Sequence, residues 1–110
     1  MSAPRDDSVY IGHIRDSITR IEDYLSGVTE AEFMAAPLIQ DAVKHQIQII
    51  GEAASRLSPA FRDGTSAIPW KDIVGMRHKI VHDYLGVDLI QVWETAVRDI
   101  PALNQQLKQL

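Results

Sequence analysis

The chain has 110 residues, enough for one hydrophobic core and too few for two, and its 45% hydrophobic and 24% charged content is that of a folding globular domain rather than a disordered one. It contains no cysteine, which excludes disulfide scaffolds, thiolate metal sites and cysteine nucleophiles and is compatible with a reducing, cytoplasmic location. Eleven basic against fifteen acidic side chains give a formal charge of −4, so no global field draws it to nucleic acid, and any phosphate ligand needs a local basic site.

From Arg5 to about Gly27, the residues Ile11, Ile14, Ile18, Ile21, Leu25 and Val28 recur at spacings of three and four, the signature of an amphipathic helix. Gly27 is its C-terminal stop. Thr29-Glu30-Ala31-Glu32 reads as a capping box opening a short helical turn from Glu30 toward Ala35, which Pro37 interrupts. A second long helix is predicted over residues 38–57, with Leu38, Ala42, Val43, Ile47, Ile50, Ala54 and Leu57 on its apolar stripe and Gly51 and Ala53 allowing close approach of a neighbour. Residues 58–66, with Pro59 and Gly64, read as a surface connection without chemistry. Pro69 suits the first turn of a third helix running through Trp70, Ile73, Val74, Ile80 and Val81 to about Tyr84, near Gly86. The last helix begins at an Asp88 cap and carries Leu89, Val92, Ala96, Ile100, Leu103, Leu107 and Leu110, with Pro101 expected to bend or break it.

Strand signals are poor, so the expected fold is all-α: an up-down antiparallel bundle of four long helices plus a short connecting helix, in one domain spanning residues 1–110. No run approaches the roughly 20 apolar residues that cross a bilayer, and the N-terminal residues lack the apolar stretch of a signal peptide, so neither membrane nor secretory targeting is expected.

Chemistry-bearing residues concentrate in Met76-Arg77-His78-Lys79-Ile80-Val81-His82-Asp83-Tyr84. On a straight helix His78 and His82 lie about 40° apart, whereas Arg77 and His82 are roughly 140° apart and about 7.5 Å along the axis. Arg77 and Tyr84 differ by only about 20°. Arg77 and His82 therefore meet one phosphate only through the reach of the arginine, or if a second copy of the helix faces the first across a twofold axis. Three readings stand side by side. The residues are a solvated cationic helix end favoured by the helix dipole. Alternatively His78 and His82 are two zinc ligands, although Lys79 replaces the glutamate of the H-E-x-x-H pattern. The third is acid–base chemistry on a phosphodiester, with histidine moving the proton and arginine neutralising the phosphorane.

The sequence Arg77-x-x-x-x-His82-x-Tyr84, set within Pro69-Trp70-Lys71-Asp72-Ile73-Val74-Gly75-Met76-Arg77-His78, resembles the HepT branch of the HEPN superfamily. The likeness extends to Gln40-Asp41-Ala42-Val43, to Ile49-Ile50-Gly51-Glu52-Ala53-Ala54 and to Tyr84-Leu85-Gly86-Val87-Asp88, covering about Arg5 to Leu107. A bare R-x-x-x-x-H is a weak signal; the whole constellation in a four-helix pattern is a strong one.

What the resemblance implies is a homodimeric toxin of a type VII toxin–antitoxin pair, a metal-independent endoribonuclease needing no cofactor. Arg77 and His82 would be its catalytic pair, acting on a transfer or messenger RNA. His78 stands where many HEPN proteins have asparagine, and its protonation would add a charge asparagine never has. Tyr84 would be the residue to which an MntA-like nucleotidyltransferase antitoxin attaches AMP, placing bulk and negative charge beside Arg77. The resemblance suggests that Glu52 lies near the motif helix and orients Arg77 or His82, against the alternative of a solvated acid; Asp41 is a second carboxylate on the same helix and carries no assigned role. The competing function is a non-catalytic helical module that docks a nucleotidyltransferase. His45 has two readings, a residue bordering the cleft and, preferred, a surface residue; His13 carries no assignment, and Trp70 and Trp93 read as core or interface residues rather than base-stacking platforms.

Overall fold

A computed structural model describes the backbone of residues 6–82 and 88–110, and the side chains of 6–78 and 88–110. Among the described residues seven α-helical segments follow one another: α1 (Asp7–Leu25), α2 (Glu30–Met34), α3 (Pro37–Ser55), α4 (Pro59–Gly64), α5 (Trp70–His82), α6 (Leu89–Glu94) and α7 (Ile100–Lys108). A π-helical segment, Thr95–Asp99, joins the last two into one rod, and the described residues contain no strand. Among these helices none is long and apolar enough to cross a membrane.

Local chemistry sets the ends of α1 and α2. The Asp6 carboxylate caps α1 by accepting the Ser8 N–H at 3.0 Å. After α1 the chain turns at Gly27, whose φ of 73° lies in the left-handed region that glycine enters without steric cost. Thr29 and Glu32 form the expected capping box: Thr29 Oγ1 accepts the Glu32 N–H at 3.2 Å, and Glu32 Oε1 accepts the Thr29 N–H at 3.1 Å.

The core confirms most of the apolar stripes. Ile11, Ile14, Ile18 and Ile21 of α1 pack with Val43, Ile47, Ile50 and Ala54 of α3, Ile73 of α5, and Val92, Ile100, Leu103 and Leu107 of the final rod. Burying each large aliphatic side chain contributes roughly 1.5–3 kcal/mol. α1 runs antiparallel to α3, because Asp7 at its start accepts both the Ser58 N–H and the Ser58 hydroxyl just beyond the end of α3, each at 2.7 Å. It runs antiparallel to α7 as well. Arg15 donates to the Leu107 carbonyl at 3.0 Å, and Glu22 accepts from the Asn104 amide at 3.1 Å.

The structure departs from the expected four long helices plus one connector in three places. Residues 58–66 are not a bare connection: Ser58 caps α4 by accepting the Phe61 N–H at 3.1 Å, and Pro59 occupies its first turn. Phe61 then packs on Trp70 with ring centroids 6.2 Å apart, tying α4 to the start of α5. Second, the final helix is continuous through Pro101 because the turn before it is widened. The Ile100 N–H donates to the Thr95 carbonyl five residues back, and this wider spacing lets the rod continue into a residue with no N–H.

The third departure is in the apolar stripes: Leu110, past the end of α7, is 55% exposed rather than on the stripe of the final rod, and Leu38 is 83% exposed rather than on the α3 stripe. Leu38 precedes the core residue Val43 by five positions, which puts it about 140° away around the helix. Gln40 takes the inward position instead. Its amide donates to the Phe33 and Met34 carbonyls at 2.8 and 3.1 Å, satisfying the open end of α2.

Candidate active site

α3 and α5 cross at Gly51. A Cβ placed there would overlap the Cβ of Arg77 and stand 3.3 Å from its Cα, so only hydrogen at this position lets the two helices approach so closely. The crossing delivers the Arg77 side chain to the face of α3 that carries Glu52, the next residue along. Glu52 Oε2 pairs with Arg77 Nε at 3.4 Å, while Oε1 takes Arg56 Nε and Nη2 at 3.0 and 2.9 Å. One carboxylate thus bridges two guanidinium groups. The hydrogen bond and charge of Glu52 hold the Arg56 guanidinium even more firmly protonated than usual.

An open groove of about 430 Å3 adjoins this bridge. Tyr10 and His13 of α1, His45, Gln48, Ile49, Glu52, Ala53 and Arg56 of α3, and Arg77 of α5 line it. Glu52 is the single acid among these nine residues, against two arginines and two histidines. In a chain with an excess of acids the groove is a local basic concavity, suited to an anionic ligand.

The match to known proteins fits this arrangement. A family model described as Ribonuclease HepT-like matches residues 14–110. The chain belongs to the HepT-like ribonuclease family. Relatives of the chain include "Gamma-glutamylcyclotransferase and putative RNase MJ0434" of Methanocaldococcus jannaschii, 41% identical over 94% of this chain but only 46% of that protein, so the chain spans about half its length. "Putative RNase TTE0752" of Caldanaerobacter subterraneus is 36% identical over the whole chain and 96% of that protein. "Probable ribonuclease HepT" of Thermococcus cleftensis is 32% identical over 96% of each. No solved structure matches the chain.

Within this HepT-like chain the motif residues fare differently. Arg77 and Glu52, 25 positions apart in sequence, are brought into direct contact, and Glu52 stays 42% exposed while making it. His78 is exposed on α5 next to Arg77. His82 is the last residue of α5, and its side chain, like Tyr84 as a whole, lies outside the described residues. The pairing of His78 with His82 as zinc ligands therefore also falls outside them; among the described residues no group of three or more His, Asp or Glu side chains is placed to share a metal ion. Asp41 pairs with Lys44 at 3.3 Å one turn along α3 and is largely exposed. Trp70 is buried, and Trp93 is half-buried against Phe33 at 5.3 Å between centroids, as expected of core residues.

Three lining residues, Tyr10, His13 and Arg56, have no role assigned from the sequence, whereas His45 lines the groove in line with the less preferred of its two readings. Helical spacing offers a signal in retrospect. Tyr10 and His13 are three apart, and His45, Gln48, Glu52 and Arg56 step by three or four along α3, so each set shares a face. That the two faces border one groove is a consequence of packing.

Proposed function

We propose that this HepT-like chain is the toxin of a type VII toxin–antitoxin pair, acting in the cytoplasm as a metal-independent endoribonuclease and working as a homodimer. The 2′-hydroxyl of RNA attacks the adjacent phosphorus and the bond to the 5′-oxygen breaks, leaving a 2′,3′-cyclic phosphate and a 5′-hydroxyl. His82 handles the transferred proton, and Arg77 neutralises the nonbridging oxygens as charge builds on phosphorus. The observation that carries this reading is the Glu52–Arg77 pair at the rim of a basic groove: a guanidinium oriented by a carboxylate yet 44% exposed is positioned and open to a phosphate. Five positions separate Arg77 from His82, about 140° around an ideal helix, so two copies of α5 facing one cleft supply a fuller clamp than one.

Tyr84 is the residue proposed to receive AMP from a nucleotidyltransferase antitoxin. An adenylate attached to this residue, seven positions after Arg77 in the motif, would set a phosphate and a bulky base against the RNA path.

The test is substitution of His82 by alanine. RNA cleavage and growth inhibition are both expected to disappear while helical content and native mass stay unchanged; cleavage that persists refutes the assignment and favours a docking module. Coexpression with a genomically adjacent nucleotidyltransferase should add adenylate mass to the wild-type chain and none to Tyr84→Phe.

A further inference from the structure

We infer that Arg56 is a second phosphate-binding residue, holding an RNA strand at a phosphate next to the one engaged by Arg77, with the groove lodging the intervening nucleotide. The identity of the ligand rests on the ribonuclease reading above; the anion site itself rests on the geometry.

Glu52 divides its two oxygens between Arg56 and Arg77, so the two guanidiniums are separated only by the span of one carboxylate and its contacts. One negative charge set between two positive ones leaves this trio a net cation. Both arginines keep much of their side chains exposed, 59% for Arg56 and 44% for Arg77; Glu52 and the Tyr10 hydroxyl engage part of the Arg56 guanidinium and Glu52 part of that of Arg77, and the other N–H groups of each five-donor fork are left for a ligand. Two such forks in a row match a polyanion better than a single phosphate, since each can take one phosphate in bidentate fashion.

The rest of the lining suits a nucleotide. A volume of about 430 Å3 lies within the range of small-ligand clefts. Tyr10, Ile49 and Ala53 supply an aromatic and aliphatic surface for a base, while Gln48 offers both a donor and an acceptor for base or ribose. None of these contacts reads sequence strongly, so the subsite strengthens binding of a strand more than it selects one.

Two non-cleavable ligands separate this role from others: a 2′-O-methylated diuridylate, which has one phosphodiester, and a 2′-O-methylated hexauridylate, which has five. Arg56→Ala is expected to weaken hexamer binding about tenfold and to flatten its dependence on log salt by about 0.7, the value of one single-strand phosphate contact. Dinucleotide binding is expected to change less than twofold, and Arg56→Lys should restore most of the hexamer affinity. Arg77→Ala should weaken both ligands.

Equal losses on the two lengths would show that Arg56 acts only by holding Glu52 and would overturn the proposal. So would unchanged hexamer binding in Arg56→Ala, or no hexamer binding by the wild type. Arg56-dependent hexamer binding by a protein that leaves unmethylated RNA uncut would instead refute the nuclease reading and leave this subsite standing.

Discussion

Gly51 on α3 and Arg77 on α5 meet so closely that the glycine has room for nothing larger than hydrogen. The contact lies at the helix crossing itself, one residue before the carboxylate that pairs with the arginine. Helix packing and site assembly therefore depend on the same point.

Gly51→Ala should accordingly be harmful despite alanine's better helix propensity. The added methyl meets the Arg77 Cβ and backbone rather than the far end of a flexible chain, so α5 must shift. A cost of about 1–3 kcal/mol is expected from such overpacking, read as a lowered midpoint in urea unfolding, together with loss of RNA cleavage. A variant as stable as the wild type would show that α5 moves freely.

Glu52→Gln should leave stability nearly unchanged. Its ion pairs with Arg56 and Arg77 are more than 40% exposed at every partner, so solvent screening limits their contribution to stability to under about 1 kcal/mol. Cleavage should nevertheless fall by about tenfold or more as Arg77 loses its orienting partner. Thermal unfolding and single-turnover cleavage on the same preparation check both halves.

Asp7 links acid stability to the α1–α4 junction. Its carboxylate accepts the Ser58 hydroxyl and backbone N–H, which together hold its pKa below the ordinary 3.8. A depressed folded-state value means that the stabilisation is present above the unfolded-state pKa and is lost as the pH falls through the folded one. Asp7→Asn should thus be less stable than the wild type at neutral pH, with the gap closing only on strong acidification below pH 3.8. A gap that is constant across this range would mean that the charge of Asp7 is irrelevant.

Chelation separates the proposed chemistry from the zinc reading of His78 and His82. Cleavage by protein dialysed against EDTA should match that of untreated protein, because proton transfer and charge neutralisation by Arg77 and His82 need no Lewis acid. Loss of activity restored by added zinc would favour the metal reading.

Periodicity and end signals in the sequence were enough to place α1, α2, α3 and the start of the final rod, since helix spacing, a capping box and a capping aspartate are local properties of neighbouring residues. α4 was legible only as the pair Ser58-Pro59, a cap followed by a first-turn proline, and was obscured by the small polar residues around it. Leu38 was misplaced for a related reason: a spacing of five residues on a helix crosses to the other side, and only the phase of the remaining stripe reveals it.

Taken alone, the sequence determined an all-helical chain and the motif helix that holds Arg77, because both follow from short-range spacing and residue type. The groove was decided by tertiary structure. Tyr10, His13, Glu52, Arg56 and Arg77 are spread over three helices, and their convergence depends on where Gly51 lets α5 settle against α3 and on how Asp7 fixes α1 beside them, contacts between residues too far apart in the chain for any local pattern to encode.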